Sequence, residues 1–130
     1  MRTTGIARTA LIGIATLTAG AGLLSAPAPA EAAPQHIYGA IAISMRTGNT
    51  AYAINYSTAA AAHRAAEAKC AAYDCKWVVQ MDRSCGAVTQ QPRTRRWGWA
   101  YGPTRRSAEV TAANHSGPGS RTIIWACTDR

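Results

Sequence analysis

The strongest constraint on the fold of this chain is an internal repeat with a spacing of 47 residues. The stretch Tyr38-Gly-Ala-Ile-Ala-Ile is echoed by Cys85-Gly-Ala-Val-Thr-Gln, and each leads through an Arg-Thr pair into an aromatic segment and then an Ala-containing one. Self-similarity of this kind indicates that one supersecondary unit occurs twice. We therefore expect tandem half-repeats at about residues 36–84 and 85–128.

Local signals predict the elements of each half. Ser57 or Thr58 caps an Ala-rich helix that ends around Tyr73, and Thr104 caps a second helix that reaches about Asn114. The turn at residues 46–49 contains Gly and Asn, which tolerate positive φ and favour a hairpin. Strands are expected near residues 36–44, 50–56, 76–82, 85–91, 95–102 and 121–128. The predicted fold class is α+β, a small disulfide-stabilised domain built as a duplicated β-β-α-β unit with antiparallel sheet and two helices.

Four cysteines, Cys70, Cys75, Cys85 and Cys127, are separated by four, nine and forty-one residues. No Cys-x2-Cys pair is present, so we expect two disulfides and no metal site. Three connectivities are possible. The repeat places non-cysteine residues, His115 and Ser120, where the first half has Cys70 and Cys75. Because losing both partners of one bridge leaves no unpaired thiol, the repeat favours Cys70 with Cys75 and Cys85 with Cys127.

The N-terminal segment has the features of a secretory signal peptide. Arg2 and Arg8 precede an uncharged apolar stretch over residues 10–24, and small residues follow it. We expect cleavage after Ala32, with cleavage after Ala30 as the alternative. The prediction is thus a signal peptide at residues 1–32, one domain at residues 33–130, and a protein secreted to the extracellular space.

Charge and composition restrict the class of protein. The 130-residue chain has 14 Lys+Arg and 6 Asp+Glu, a net charge of +8. Without Arg2, Arg8 and Glu31 of the leader, 12 Lys+Arg and 5 Asp+Glu give +7. A hydrophobic share of 48% excludes a disordered chain, and no uncharged run beyond residue 33 reaches the roughly 18 residues of a membrane span. We expect a basic monomer with no membrane span after signal cleavage.

The order of motifs resembles a family of bacterial secreted proteins known as "domain of unknown function 4189". The resemblance rests on residues 38–42, Cys70-x4-Cys75, Cys85-Gly-Ala, Trp97-Gly-Trp-Ala-Tyr-Gly and Trp125-Ala-Cys127. It covers residues 37–128 and implies that the protein is secreted and has the predicted fold. Members usually carry six cysteines, and the resemblance implies that His115 and Ser120 replace two of them. It brings no established activity, cofactor or catalytic residue.

No catalytic signature is present. The expected mature chain has three histidines and five carboxylates, but no Gly-x-Ser-x-Gly elbow, phosphate-binding Gly-rich loop or His-Glu-x-x-His motif. We expect no enzyme activity, cofactor or metal. A small ribonuclease is the alternative, with His36, His63 and His115 as titrating groups. The structural interpretation places His36 in a flexible N-terminal stretch, His63 on a solvated helix face and His115 near a helix end.

The most unbalanced stretch runs from Arg93 to Arg106 and contains no acidic residue. Arginines bind phosphate or carboxylate, and aromatic faces stack on other rings. Period-2 alternation places Arg95, Trp97, Trp99 and Tyr101 on one strand face and Arg96, Gly98, Ala100 and Gly102 on the other. We expect the helices to cover the Gly/Ala face and the aromatic face to be free. The candidate partner-binding residues are Arg93, Arg95, Arg96, Trp97, Trp99, Tyr101, Arg105 and Arg106.

Two alternatives accompany that hypothesis. In the first alternative, the bulky face forms the core together with Trp77 and Trp125. In the first hairpin this face comprises Tyr52, Ile54 and Tyr56. Arg105 and Arg106, in the first turn of a helix whose dipole disfavours cations, form an anion site or are simply solvated.

The expected function is a secreted, non-enzymatic binding module for an acidic polymer of the envelope or an acidic protein, including inhibition of a foreign enzyme. No specific nucleic acid is expected, because any polyanion responds to such a charge. The alternative is a structural or accessory envelope protein without a ligand.

Overall fold

The structure is a computed structural model, and it describes residues 35–129. The predicted signal peptide and its cleavage sites lie outside the described residues. Eight elements follow one another, and the strands lie close to their predicted positions. They are β1 (Tyr38–Ile43), β2 (Thr50–Tyr56), α1 (Ala59–Cys70), β3 (Lys76–Asp82), β4 (Cys85–Gln90), β5 (Trp97–Gly102), α2 (Arg105–Ser116) and β6 (Arg121–Cys127). No helix within residues 35–129 is long and apolar enough to cross a membrane.

The strands form two three-stranded antiparallel sheets, ordered β2-β1-β3 and β5-β4-β6. The register is also repeated: Tyr38 pairs with Asp82 in the first sheet, and Cys85 pairs with Cys127 in the second. Even the irregularity recurs, between Ile41 and Ala42 and between Val88 and Thr89. The predicted α+β fold with a duplicated β-β-α-β unit is confirmed.

The helices start where their caps predict. The hydroxyl of Thr58 accepts from the Ala61 N–H, and Thr104 forms a reciprocal capping box with Ser107. The first helix ends at Cys70 instead of around Tyr73, because Ala71 takes a left-handed backbone with φ 57° and stops the hydrogen-bond ladder. The second continues past the predicted Asn114 to Ser116.

The two faces of each sheet differ in residue size, and each face packs against a different layer of the fold. Alanines of the first sheet pack on Ala62 and Ala66 of α1, while Ala87 of the second packs on Ala108 and Ala112 of α2. Gly98 is needed beneath α2, since a Cβ there would overlap the carbonyl of Ala112. Small side chains thus let the helices approach closely, as predicted.

The larger side chains meet between the two sheets. This central core contains Ile41, Ile43, Val79, Met81, Val88 and Ala126, which come from both sheets and are all buried. Trp97, Trp99, Ile54, Val78 and Ile124 pack around it and are partly buried. Burial of each such large side chain is worth about 1.5–3 kcal/mol, so this layer dominates the hydrophobic stabilisation.

The bulky face of β2 is shorter than predicted. Tyr52 and Ile54 follow the expected alternation, but Asn55 has a φ of 64° and adds a bulge to the strand. The extra residue turns Tyr56 to the other side, where it packs against the α1 layer with Tyr38. The prediction that Tyr56 shares a face with Tyr52 is therefore wrong.

Both disulfides have the pairing that the repeat predicts: Cys70 with Cys75 and Cys85 with Cys127. The alignment of His115 with Cys70 is wrong by one residue. Both helices have twelve residues, so Ser116 ends α2 as Cys70 ends α1, and both are buried. The loop after α2 is one residue shorter, which displaced the alignment. In the second half, Ser116 Oγ lies 2.6 Å from Ser120 Oγ and 2.7 Å from Thr89 Oγ1, a hydroxyl network in place of the bridge.

Candidate functional site

The two hairpin turns have the same backbone geometry. In the first, the Ser44 N–H donates to the Asn49 carbonyl and the Gly48 N–H to the Ser44 carbonyl. Residues 91–96 repeat both bonds at the same relative positions. Gly48 has a φ of 79°, and its counterpart Arg95 has a φ of 61°. An arginine therefore occupies a left-handed position that costs a residue with a side chain about 1–2 kcal/mol and favours glycine.

A cleft between the two turns brings Arg46 and Arg95 together. We call it the turn cleft; its volume is about 370 Å³. It is lined by Met45, Arg46, Thr47, Gly48, Gln90, Arg95 and Trp97. None of these residues is acidic, and backbone strain at a cationic residue in a cleft is typical of functional positions. The cleft offers two guanidinium groups beside an indole, a composition suited to a carboxylate or phosphate.

Arg46 also interacts with two residues that do not line the cleft, Tyr73 and Asp74. Its guanidinium lies over the ring of Tyr73, 4.6 Å from the centroid. Asp74 lies nearby and accepts a hydrogen bond of 2.7 Å from the Ser44 hydroxyl. This hydrogen bond, with a smaller contribution from the charge of Arg46, lowers the pKa of Asp74. The carboxylate therefore stays ionised and offsets part of the positive charge on one side of the cleft.

The predicted binding residues do not form one continuous face. Arg93, Arg95 and Arg96 are exposed in the second turn, whereas Arg105 and Arg106 follow the opposite end of β5. The five rises of a six-residue strand place these ends about 17 Å apart. Arg95 lies before β5, which begins at Trp97, and has a positive φ. It therefore does not follow the alternation of side chains along the strand.

The prediction of a free aromatic face on β5 is wrong for two of its three rings. Trp97 and Trp99 pack against the core between the sheets, because the first sheet covers that face of β5. Tyr101 is 69% exposed at the end of the strand. Trp77 and Trp125, the other members of the core interpretation, are 43% and 40% exposed and lie outside the central core.

Arg105 has intramolecular partners that explain its position at a helix start. Its Nε donates to Glu109 Oε1 at 3.1 Å, and its guanidinium lies 3.9 Å from the ring centroid of Trp125. These contacts offset the unfavourable helix dipole without a bound anion. Arg106 is exposed.

The three histidines each contact a different part of the fold. His36 Nδ1 and His115 Nδ1 lie 3.1 Å from the carbonyls of Asn55 and Trp99. The expectation that His63 is solvated is wrong. Its ring stacks on that of Trp77 with the centroids 3.8 Å apart, and its Nε2 is buried. Within residues 35–129, no three His, Cys, Asp or Glu side chains converge on a point that could hold a metal ion.

Arg46 is the arginine of the turn cleft that the sequence prediction omitted. The repeat aligns Arg46-Thr47 with Arg93-Thr94, which was the available signal. Selecting residues by their density within one stretch excluded a lone arginine from the other half.

Comparison with known proteins decides the family. The family model for "Domain of unknown function (DUF4189)" matches residues 38–127. The chain belongs to the DUF4189 family. Among solved structures, this family member is similar to the NMR structure of Rv1813c from Mycobacterium tuberculosis, with 29% sequence identity, a TM-score of 0.57 and coverage of 98% of each chain. No curated protein matches its sequence.

Proposed function

We propose that this DUF4189 protein is a secreted, non-enzymatic binding module that holds an acidic partner at the turn cleft. The observation that carries the proposal is Arg95. It keeps a strained left-handed backbone at the position where the first half has Gly48, and its side chain lines a cleft with Arg46. Strained backbone is enriched at binding sites, and here the strained residue supplies a second guanidinium for an anion.

The charge distribution agrees with an acidic partner. Arg93 and Arg96 flank the cleft from the same exposed turn, so a polymer lying across the cleft would meet further cations. The indole of Trp97 lines the cleft and offers a stacking surface beside the charges. An envelope polymer or an acidic protein would supply closely spaced anions. The disulfides belong to an oxidising compartment, which agrees with secretion.

The test is a titration of the oxidised protein with polyphosphate and with poly-glutamate, followed by tryptophan fluorescence at low and high salt. We expect a saturable change that weakens with salt. Arg46→Gln with Arg95→Gln should weaken binding at least about tenfold, as expected when two charge-assisted contacts are lost.

The matched control is Arg64→Gln with Arg106→Gln, which removes the same charge from exposed helix positions. It should retain most of the affinity. Equal weakening by both pairs would mean that net charge alone attracts the polyanion. No binding by the unsubstituted protein would favour an accessory protein without a ligand.

A further inference from the structure

A second concavity crosses the boundary between the two halves of the protein. It lies between β3 of the first sheet and β5 of the second, beside α2, and has a volume of about 600 Å³. We call it the aromatic groove. Three rings line it, Trp77, Trp99 and Tyr101, together with the polar residues Gln80, Thr111 and His115. Its volume falls in the range of small-molecule sites, about 300–1,000 Å³.

The rings are held in place before any ligand arrives. The imidazole of His63 stacks on Trp77 with an interplanar angle of 7°, so one face of that indole is covered and 43% of the residue stays exposed. Trp99 packs against the core between the sheets and also borders the groove. Fixed rings lose little conformational entropy when a ligand stacks on them, which favours binding.

The polar side chains of the groove are an amide, a hydroxyl and an imidazole. A carbonyl only accepts, so His115 Nδ1 carries the proton in its contact with the Trp99 carbonyl, and Nε2 is the ring nitrogen left for a ligand. Gln80 adds an amide and Thr111 a hydroxyl. No Lys, Arg, Asp or Glu lines the groove, although the chain carries a net charge of +8. The groove therefore suits an uncharged ligand with apolar faces and many hydroxyl groups.

An extended peptide fits this groove less well. Peptides add to a sheet through free backbone groups of an edge strand, and β3 and β5 are edge strands. However, the Trp77 N–H already donates to Glu67 Oε1 at 3.1 Å, and the Trp99 carbonyl already accepts from His115. The register of β3 is also irregular between the partners of Ile41 and Ala42. These contacts oppose the addition of a peptide strand, so a ligand in the groove would be recognised by the groove's side chains.

We propose that the aromatic groove binds a neutral oligosaccharide, with sugar rings stacked on Trp77 and Tyr101 and their hydroxyl groups bonded to Gln80, Thr111 and His115. The site is distinct from the turn cleft, and the two share no lining residue. The proposal therefore stands or fails separately from the anion-binding function.

The experiment titrates the oxidised protein with neutral tetrasaccharides of glucose, mannose, galactose and N-acetylglucosamine, followed by tryptophan fluorescence and amide chemical shifts. We expect at least one sugar to give saturable binding that salt does not weaken, with shifts at residues 77–80, 99–101 and 111–115. Trp77→Ala or Tyr101→Ala should weaken binding at least about tenfold. Tyr101 is 69% exposed, so its variant should retain the fold.

Trp125→Ala is the matched control, because Trp125 is similarly exposed on β6 and does not line the groove. It should bind like the unsubstituted protein. The proposal would be overturned by an absence of saturable binding to all four sugars, or by shifts confined to other surfaces. It would also be overturned if Trp77→Ala converted a dimer to a monomer, because a second copy would then occupy the groove.

Discussion

The two halves of the molecule are copies of one fold, and two of the places where they differ bear on stability and on the turn cleft. At the junction of helix and last strand, the first half has the Cys70–Cys75 disulfide and the second has the hydroxyls of Ser116 and Ser120. At the hairpin turn, the first half has Gly48 and the second Arg95, both with positive φ. In both places the second half has the less stable choice. At the hairpin turn, the second half therefore carries strain where the turn cleft gains a cation.

The largest predicted effect separates the two disulfides. Cys85–Cys127 closes a loop with a sequence separation of 42, and Cys70–Cys75 one of 5. In the chain-entropy model, replacing Cys85 and Cys127 by serines should lower the free energy of unfolding by about 4 kcal/mol. Replacing Cys70 and Cys75 by serines should lower it by about 2 kcal/mol. Urea unfolding measures both. Equal losses would show that the short bridge does more than close its local loop.

A third bridge should make the second half resemble the first. Ser116→Cys with Ser120→Cys places two thiols where the hydroxyl oxygens lie 2.6 Å apart. In the oxidised protein we expect a gain of about 2 kcal/mol in the free energy of unfolding. The same variant with only this bridge reduced should lose the gain. A destabilised oxidised variant would show that the buried network with Thr89 is the better arrangement.

Exchanging the turn residues tests the strain directly. Arg95→Gly should raise the free energy of unfolding by about 1 kcal/mol, since glycine adopts positive φ without steric cost. Gly48→Arg, the mirror change in the first half, should lower it by about the same amount. Thermal or urea unfolding of the two variants provides the comparison. A loss of stability in Arg95→Gly would mean that the arginine stabilises its own turn.

The smallest effect concerns pH and belongs to the first half. The pKa of Asp74 is lowered from its ordinary value of 3.8, chiefly by the Ser44 hydroxyl. A carboxyl with a depressed folded-state pKa stabilises the protein above its ordinary value, and this stabilisation is lost as pH falls through the folded-state value. Asp74→Asn should flatten the dependence of unfolding midpoint on pH below about pH 4. An unchanged slope would assign acid sensitivity to other carboxyls.

The repeat predicted the order of the elements, local signals predicted the helix caps, and strand alternation predicted the small faces beneath the helices. These signals did not predict which large face is solvated, because alternation shows that two faces differ but not what lies against each. The first sheet covers Trp97 and Trp99 of β5. Spacing also misplaced the counterpart of Cys70, since the loop after Ser116 is one residue shorter than the loop after Cys70. The turn cleft could not be predicted from the sequence, because Arg46 and Arg95 come from turns in different halves and only the fold brings them together.

Amide chemical-shift mapping with polyphosphate tests the central claim most directly, since it locates the bound anion residue by residue. The account predicts salt-sensitive shifts at residues 44–49 and 90–97 that are strongly reduced in Arg95→Gly. Shifts centred on Arg105 and Arg106, or shifts at the turns that persist unchanged in Arg95→Gly, would contradict it.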